Sequence, residues 1–251
     1  MPTNTQSPES ADCSSFSSVA SSRKSDATDL DVFLTSCKLN SKLRVLDIAT
    51  GRGAVAFLLA AEGLSDVVGI DACAKNLSEA VRVTRRDGGP RFACADPRRL
   101  PFEDGAFDLV VTRRGPQHFE DLGAVLDEVR RVLRPRGRFV AHDRAVIEPE
   151  STVIWRELDR RLTQLGAEYA PSQWRRLLEE RGFVIEQLEP YEREVPLTLL
   201  FDAGSDEGRR SIEARLSQVD GSARSHLLLR EVDGQRFLRH DYVRLSAMRN
   251  A

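Results

Sequence analysis

The sequence has few cysteines, and none are arranged as in a metal site or a disulfide framework. No two have the Cys-x-x-Cys spacing of a zinc site. We therefore expect free thiols and no bound metal at Cys13, Cys37, Cys73 and Cys94. The sequence also lacks an apolar run of the roughly 18–20 residues that span a bilayer. The N-terminus has no charged segment followed by an apolar one, as a secretory signal would. These absences predict a cytoplasmic location.

An excess of positive charge is lacking too. Lys and Arg number 37 against 39 Asp and Glu, which gives a formal net charge of −2 and a pI of about 6.2. Dedicated nucleic-acid binders are usually basic, so the composition argues against a nucleic-acid partner. Hydrophobic residues make up 41% of the 251 residues. The chain length and the hydrophobic fraction both fit one globular domain.

Residues 1–28 are rich in Ser and Thr and poor in apolar residues. Such a segment buries too little surface to offset its ordering entropy, so we predict a disordered tail, followed by one domain over 29–251. In that domain, short apolar segments alternate with segments of helical periodicity. We predict strands at 43–49, 66–71, 91–95, 107–112 and 137–142, and helices at 54–62, 75–86 and 122–133. This alternation indicates a parallel sheet with helices on both faces.

The last third of the sequence is less regular. Helices are predicted at 152–165 and 172–181, and strands at 183–188 and 237–248, which brings the sheet to seven strands. The stretch 191–235 is too long for a plain hairpin loop. We interpret it as a helical cap inserted over the carboxyl edge of the sheet.

Polar and glycine residues follow the first three strands directly. The first strand leads into Asp47-Ile-Ala-Thr-Gly-Arg-Gly53, the second ends in Asp71, and the third is followed by Asp96. Ligands of open parallel sheets bind at this carboxyl edge. Gly51 and Gly53 allow a tight turn and a close approach of the backbone to a ligand. The sequence therefore predicts a ligand site built from these three strand ends.

Residues 43–144 resemble class I S-adenosylmethionine (SAM)-dependent methyltransferases, in the group similar to the ubiquinone and menaquinone biosynthesis methyltransferases. The matching segments are VLDIATGRG (45–53), VVGIDA (67–72), FACADPRRLPFEDGAFDLVVTRR (92–114), QHFED (117–121) and EVRRVLRPRGRFV (128–140). WRRLLEERGF (174–183) also resembles a late segment of this group, so the similarity covers roughly residues 30–190 and, more weakly, the rest of the chain. The resemblance implies an α/β, Rossmann-like fold and transfer of a methyl group from SAM to C, O or N of a small-molecule acceptor.

Three positions depart from the pattern of the group. Ala49 replaces the usual first glycine of the loop, Arg136 replaces a typical glycine, and Gln117-His118 replaces a usual pair of histidines. The resemblance implies that Asp71 accepts hydrogen bonds from the ribose hydroxyls and Asp96 from the adenine amino group. The full set of expected SAM-binding residues is Asp47, Ala49, Thr50, Gly51, Gly53, Asp71, Ala72, Asp96, Pro97, Thr112 and Arg113.

Catalysis is less well defined, because methyl transfer succeeds mainly through positioning. His118 is a candidate general base, since an unperturbed His titrates near pH 6.5. A structural role for it at the start of the helix is an equal alternative. Asp143, at the end of the fifth strand, is a second candidate.

Three other functions stay open. Gly51-x-Gly53-x-x-Ala56 with Asp71 also fits a dinucleotide fingerprint, although Asp47 and Asp96 argue against a nicotinamide enzyme. A nucleic-acid methyltransferase is disfavoured because TRRGPQHF (112–119) lacks the Asn/Asp-Pro-Pro-aromatic signature. A SAM-binding protein without methyl transfer is compatible with every motif. The sequence is also compatible with a homodimer.

Overall fold

The computed structural model of the protein describes residues 23–84, 89–147, 168–197, 230–232 and 234–251, and a few helical residues between 210 and 218. The predicted helix at 152–165 and most of the predicted cap lie outside the described residues. Within them, no helix is long and apolar enough to cross a membrane.

One sheet organises the chain. The helices, renumbered in chain order, are α1 Arg23–Cys37, α2 Ala54–Ala61, α3 Ala74–Val83, α4 Leu122–Val132 and α5 Pro171–Glu179, with a 3-10 turn at Pro116–His118. The strands are β1 Arg44–Ile48, β2 Asp66–Asp71, β3 Arg91–Cys94, β4 Phe107–Arg113, β5 Leu133–Arg144, β6 Phe183–Pro196, β7 Arg230–Val232 and β8 Gln235–Arg249.

The strand order is β3-β2-β1-β4-β5-β8-β6, and the short β7 pairs with β8. Strands β1 to β5 are parallel, whereas β8 runs antiparallel to both β5 and β6. The mostly parallel, Rossmann-like sheet is thus confirmed, with β7 as an additional, unpredicted strand. The insertion of the antiparallel β8 between β5 and β6 distinguishes this sheet from classical dinucleotide folds, whose strand order is 3-2-1-4-5-6.

Three predicted boundaries are wrong. Helix α1 begins at Arg23, so residues 23–28 are helical and not part of a disordered tail. Each residue added to an existing helix gains a hydrogen bond at little cost, so apolar content does not fix where a helix starts. Strand β5 begins at Leu133, immediately after α4, whereas the sequence predicted a strand only from residue 137.

The third correction concerns the cap, because residues 191–196 belong to β6. Charged residues alternate through this strand and Pro190 interrupts it, a pattern that resembles a loop. In the sheet order, however, β6 lies at the edge. An edge strand tolerates proline and solvent-facing charges.

The sheet is covered on both faces. On one face, Phe33 and Cys37 of α1 are fully buried with residues of α2, β1 and β4. On the other, α4 and α5 pack over the sheet and bury Leu126 and Trp174 completely. These two layers fix the strand ends that form the carboxyl edge.

Strands β6 and β8 extend past that edge. The last β5–β8 pair is Arg144 with Tyr242, while β6–β8 pairing continues from Tyr191 with Tyr242 to Pro196 with Phe237. We call this overhang, residues 191–196 and 237–242, the β6–β8 wall. It rises beside the carboxyl end of β5.

Arg131 of α4 forms hydrogen bonds that link the segment after β3 to α4. The Arg131 guanidinium donates to the carbonyls of Leu100 (3.0 Å) and Phe102 (2.7 Å) and to the Glu128 carboxylate (2.7 and 2.8 Å). Glu128 in turn accepts from the Leu100 N–H at 2.7 Å. This pair holds the segment that follows Asp96.

We expect Arg131→Ala to lower the free energy of unfolding by roughly 1.5–3 kcal/mol, because it removes charge-assisted bonds and leaves two carbonyls without a donor. Urea unfolding checks this value. The matched control is Arg175→Ala, which breaks only an exposed pair with Glu179 and should change stability by less than about 0.5 kcal/mol. Equal losses in the two variants would contradict the role given to Arg131.

Candidate functional site

Asp47 lies beneath the loop between β1 and α2. Only 1% of its surface is exposed, and it accepts a 2.6 Å hydrogen bond from the Thr50 hydroxyl. Burial raises the pKa of Asp47 to about 7, against the opposing effects of the Thr50 bond and the Ala56 N–H. The Thr50 N–H donates to the Ile70 carbonyl at 2.9 Å, which ties the loop to β2.

The loop carries three residues in the left-handed backbone region. These are Ala49 (φ 57°), Gly51 (φ 56°) and Gly53 (φ 83°). Alanine is strained in that region, which explains why glycine is usual at position 49 in the resembling group. A Cβ on Gly51 would meet no atom within 4 Å, so the outer side of this residue is open.

Asp71 joins the ends of β1 and β2. Its Oδ2 accepts from the Gly51 N–H at 2.9 Å and its Oδ1 from the Cys73 N–H at 2.8 Å. Each carboxylate oxygen has a second lone pair. Asp71 is half-buried and Ala72 beside it is exposed, so the carboxylate is oriented by the backbone and still able to accept further donors.

Asp96 is exposed and pairs with Arg98, a residue that the sequence pattern did not single out. The Arg98 guanidinium contacts both carboxylate oxygens, at 3.0–3.2 Å, and the Arg98 N–H donates to Oδ1 at 2.9 Å. The hydrogen bonds to Arg98 lower the pKa of Asp96. Pro97, between the two, is half-buried. The i, i+2 spacing of opposite charges is the signal that could have revealed this pair.

The end of β4 packs against the first loop. Thr112 is 1% exposed, and its hydroxyl has no hydrogen-bond partner among the described residues. Gly115, which the sequence analysis also missed, lies so close that a Cβ there would collide with the Thr112 hydroxyl and the Ala49 methyl group. The positive charge of Arg113 acts on Asp47 and lowers its pKa slightly against burial. The structure therefore brings Thr112 and Arg113 to the Asp47 loop.

Asp143 holds the turn after β4. It is 1% exposed; its Oδ2 accepts from the Gln117 N–H at 2.9 Å and its Oδ1 from the Arg144 N–H at 2.8 Å. Burial raises its pKa to about 7, against those two backbone bonds. Both oxygens therefore serve the backbone, and Asp143 fixes the Pro116–His118 turn on β5.

His118 ends this turn at the surface. Its Nε2 lies 3.2 Å from the Gln117 Nε2, which also donates to the Arg114 carbonyl at 3.3 Å. The residue is exposed, but packing around the ring, followed by the charge of Arg144, lowers its pKa to about 4. His118 is therefore neutral at pH 7, with Nε2 as the acceptor from the Gln117 amide.

We expect the His118 ring to titrate with a midpoint near 4, and Arg144→Met to move it upward. The unfolded chain then binds more protons than the folded one between this value and about 6.5. His118 therefore contributes stability that increases as pH rises through that window. Proton NMR of the imidazole, assigned with His118→Gln, measures the midpoint. A midpoint near 6.5 in the unsubstituted protein would contradict this packing.

The site residues thus lie in three places. The first strand ends gather Asp47, Ala49, Thr50, Gly51, Gly53 and Asp71, with Thr112 and Arg113 from β4. Asp96 and Pro97 lie at the exposed end of β3, and His118 and Asp143 at the ends of β4 and β5. No group of three or more metal-ligating side chains occurs in the part of the chain that the structure describes.

Residues 46–141 match a family model described as a methyltransferase domain. The chain is 44% identical over 100 residues to demethylmenaquinone methyltransferase of Thermus thermophilus, covering 39% of this chain and 45% of the relative. It is 30% identical over 131 residues to the uncharacterized methyltransferase YcgJ of Bacillus subtilis, covering 51% of each. The chain thus spans about half of the length of these curated relatives.

Similarity to solved structures covers more of the chain than the sequence matches do. The crystal structure of YcgJ from Bacillus subtilis superposes with a TM-score of 0.75 over 90% of this chain and 99% of YcgJ, at 19% identity. The [4+2]-cyclase SpnF superposes with a TM-score of 0.66 over 92% of this chain and 84% of SpnF, at 20% identity. Residues 46–141 are thus similar in sequence to a methyltransferase domain, and the relatives that match this part of the chain include a demethylmenaquinone methyltransferase and a second protein named a methyltransferase.

Proposed function

We propose that the protein is a SAM-dependent methyltransferase acting on a small molecule. The observation that carries the proposal is the fixed carboxylate of Asp71 beside the open side of Gly51, above the buried Asp47, within the matched domain. The sequence relatives named above are methyltransferases, one of them acting on a demethylmenaquinone by its name.

The residues present fit a sulfur nucleoside. The two hydroxyls of a ribose need hydrogen-bond acceptors, and Asp71 keeps lone pairs available after its two backbone bonds. The collision of any Cβ on Gly115 with Ala49 shows how closely the β1 and β4 loops approach. We assign the amino-acid end of SAM to Asp47, Thr50 and Arg113, and the adenine amino group to Asp96.

Bound SAM would supply a methyl group already activated by a sulfonium. The contribution of the protein is then to orient two molecules and to exclude water. Asp71 and Gly51 fix the nucleoside end, while the buried Thr112 hydroxyl lies at the β4 end, where the acceptor would approach. The hydrogen bonds from Arg98 lower the pKa of Asp96 and so favour the carboxylate form, which can accept at both oxygens.

A strong general base is not part of the proposal. His118, with a pKa near 4, is a weak proton acceptor, and Asp143 is only 1% exposed, with each oxygen held by a backbone N–H and little access for a substrate. We assign Asp143 a positioning role for the Pro116–His118 turn. An acceptor whose nucleophile ionises readily suits such a site, because it needs little proton removal by the enzyme.

Calorimetric titration with SAM, S-adenosylhomocysteine and NAD, each separately, tests the cofactor. We expect micromolar binding of the two sulfur nucleosides and no heat with NAD. The labelled methyl group of SAM is then followed into a panel of small acceptors and into RNA and DNA. NAD binding without SAM binding would overturn the proposal. Tight SAM binding with no labelled product from any acceptor would favour a SAM-binding protein that does not transfer methyl groups.

A further inference from the structure

Arg144 ends β5 beside the β6–β8 wall, and the methyltransferase site already described does not use it. Its Nε and Nη1 atoms are buried, and neither has a hydrogen-bond partner among the described residues. The adjacent Asp143 does not neutralise them by hydrogen bonding, because its oxygens accept the N–H groups of Gln117 and Arg144 itself. Buried N–H donors without an acceptor are unfavourable, although Arg144 as a whole is only half-buried. An anionic ligand would supply the missing acceptors.

The direction of the Arg144 side chain follows from the pairing of the strands. Arg144 is opposite Tyr242 in the β5–β8 register and therefore lies on the same face as Tyr242 and His240. Its positive charge lowers the pKa of His118, after β4, and of His240, on β8, although burial is the larger cause for both. Arg144 is therefore beside the wall and close enough to the turn after β4 for its charge to act on His118.

Cationic and aromatic side chains lie around Arg144, together with the buried carboxyl group of Asp143, whose pKa the charge of Arg144 lowers against burial. His240 is 4% exposed, and burial is the main cause of its lowered pKa, to which the charges of Arg144, Arg114 and Arg193 add. Arg193 lies over the Tyr242 ring at 5.6 Å, and the His240 and Tyr242 ring centroids are 5.3 Å apart. A flat, negatively charged molecule is complementary to such a surface.

We infer that the methyl acceptor carries an oxyanion, a carboxylate or a phosphate, and that Arg144 binds it at the foot of the β6–β8 wall. This inference rests on the proposed function, because it places the acceptor beside the nucleoside site. Guanidinium nitrogens pair with either oxyanion in a two-pronged geometry. Arg144 thereby determines which acceptors are selected and takes no part in the bond changes.

The test uses the full chain saturated with S-adenosylhomocysteine and three probes: benzoate, phenyl phosphate and the neutral benzamide. We expect at least one anion to bind with a measurable Kd that weakens about tenfold or more in Arg144→Met. Benzamide should bind weakly and equally in both proteins. A comparison of benzoate with phenyl phosphate distinguishes the two oxyanions. Arg175→Met, on the exposed face of α5, is the matched control and should leave every Kd unchanged.

Arg144→Lys keeps the charge and loses the two-pronged geometry, so an intermediate Kd is expected. If Arg144→Met does not fold, the Arg144 Nε–H resonance of the unsubstituted protein should still shift on addition of the anion. Unchanged anion affinity in Arg144→Met, or no anion binding at all, would overturn the inference while S-adenosylhomocysteine still binds. Loss of nucleoside binding in the unsubstituted protein would instead contradict the proposed function.

Discussion

Asp71→Ala is expected to weaken the binding of S-adenosylhomocysteine about 10- to 150-fold. The substitution removes charge-assisted hydrogen bonds to the ribose, which are worth roughly 1.5–3 kcal/mol. It also removes the acceptor of the Gly51 and Cys73 N–H groups, so the loop that surrounds the ligand loses its tie to β2. Calorimetry on the folded variant measures the change.

Two further variants distinguish the loss of ribose binding from the loss of the hydrogen bonds that hold the loop. Asp71→Asn keeps one acceptor oxygen for the backbone and loses the charge, so we expect an affinity between those of Asp71→Ala and the unsubstituted protein. Asp66→Ala removes a carboxylate from the other end of the same strand, where it pairs with Arg91 and Arg44, and should leave the affinity unchanged. Unchanged binding in Asp71→Ala would mean that the ribose is held elsewhere.

Much of this site could be predicted because its residues are adjacent to strands with strong periodic signals. Asp47, Gly51, Gly53 and Asp71 lie directly at the ends of β1 and β2. Parallel pairing of these two strands then brings their ends to one edge. Apolar runs of this kind are buried on both faces of the sheet, and burial is the property that a sequence reveals best.

The part of the site that the sequence did not predict depends mostly on contacts between segments that are distant in the chain. The pairing of Arg98 with Asp96 is local, but the tie from Asp143 to Gln117 and the position of Arg144 opposite Tyr242 follow from strand register. Register with an antiparallel strand from the end of the chain has no signature in the sequence around β5. The full length of β6 could not be predicted from the sequence for a related reason. An edge strand with one partner needs no continuous apolar run, and an apolar run is the signal that predicts a strand.

Gly53→Ala is expected to lower the free energy of unfolding by about 2–5 kcal/mol. The left-handed backbone at φ 83° costs alanine roughly 1–2 kcal/mol. In addition, the new Cβ would lie 2.7 Å from the Phe92 ring and 2.9 Å from the Phe57 ring. Forcing a methyl group into such a contact costs about 1–3 kcal/mol more. Urea unfolding gives the difference directly.

Gly51→Ala is the matched control, because its φ of 56° imposes the same backbone strain while its Cβ meets no atom within 4 Å. We expect a stability loss of only about 1–2 kcal/mol. The nucleoside affinity should nevertheless fall, because the added methyl group faces the open side of the loop, where the ligand approaches the backbone. The two glycines would then have different functions: Gly53 maintains the packing of the loop on β3, and Gly51 leaves room for the cofactor. Equal losses of stability in the two variants would contradict this division.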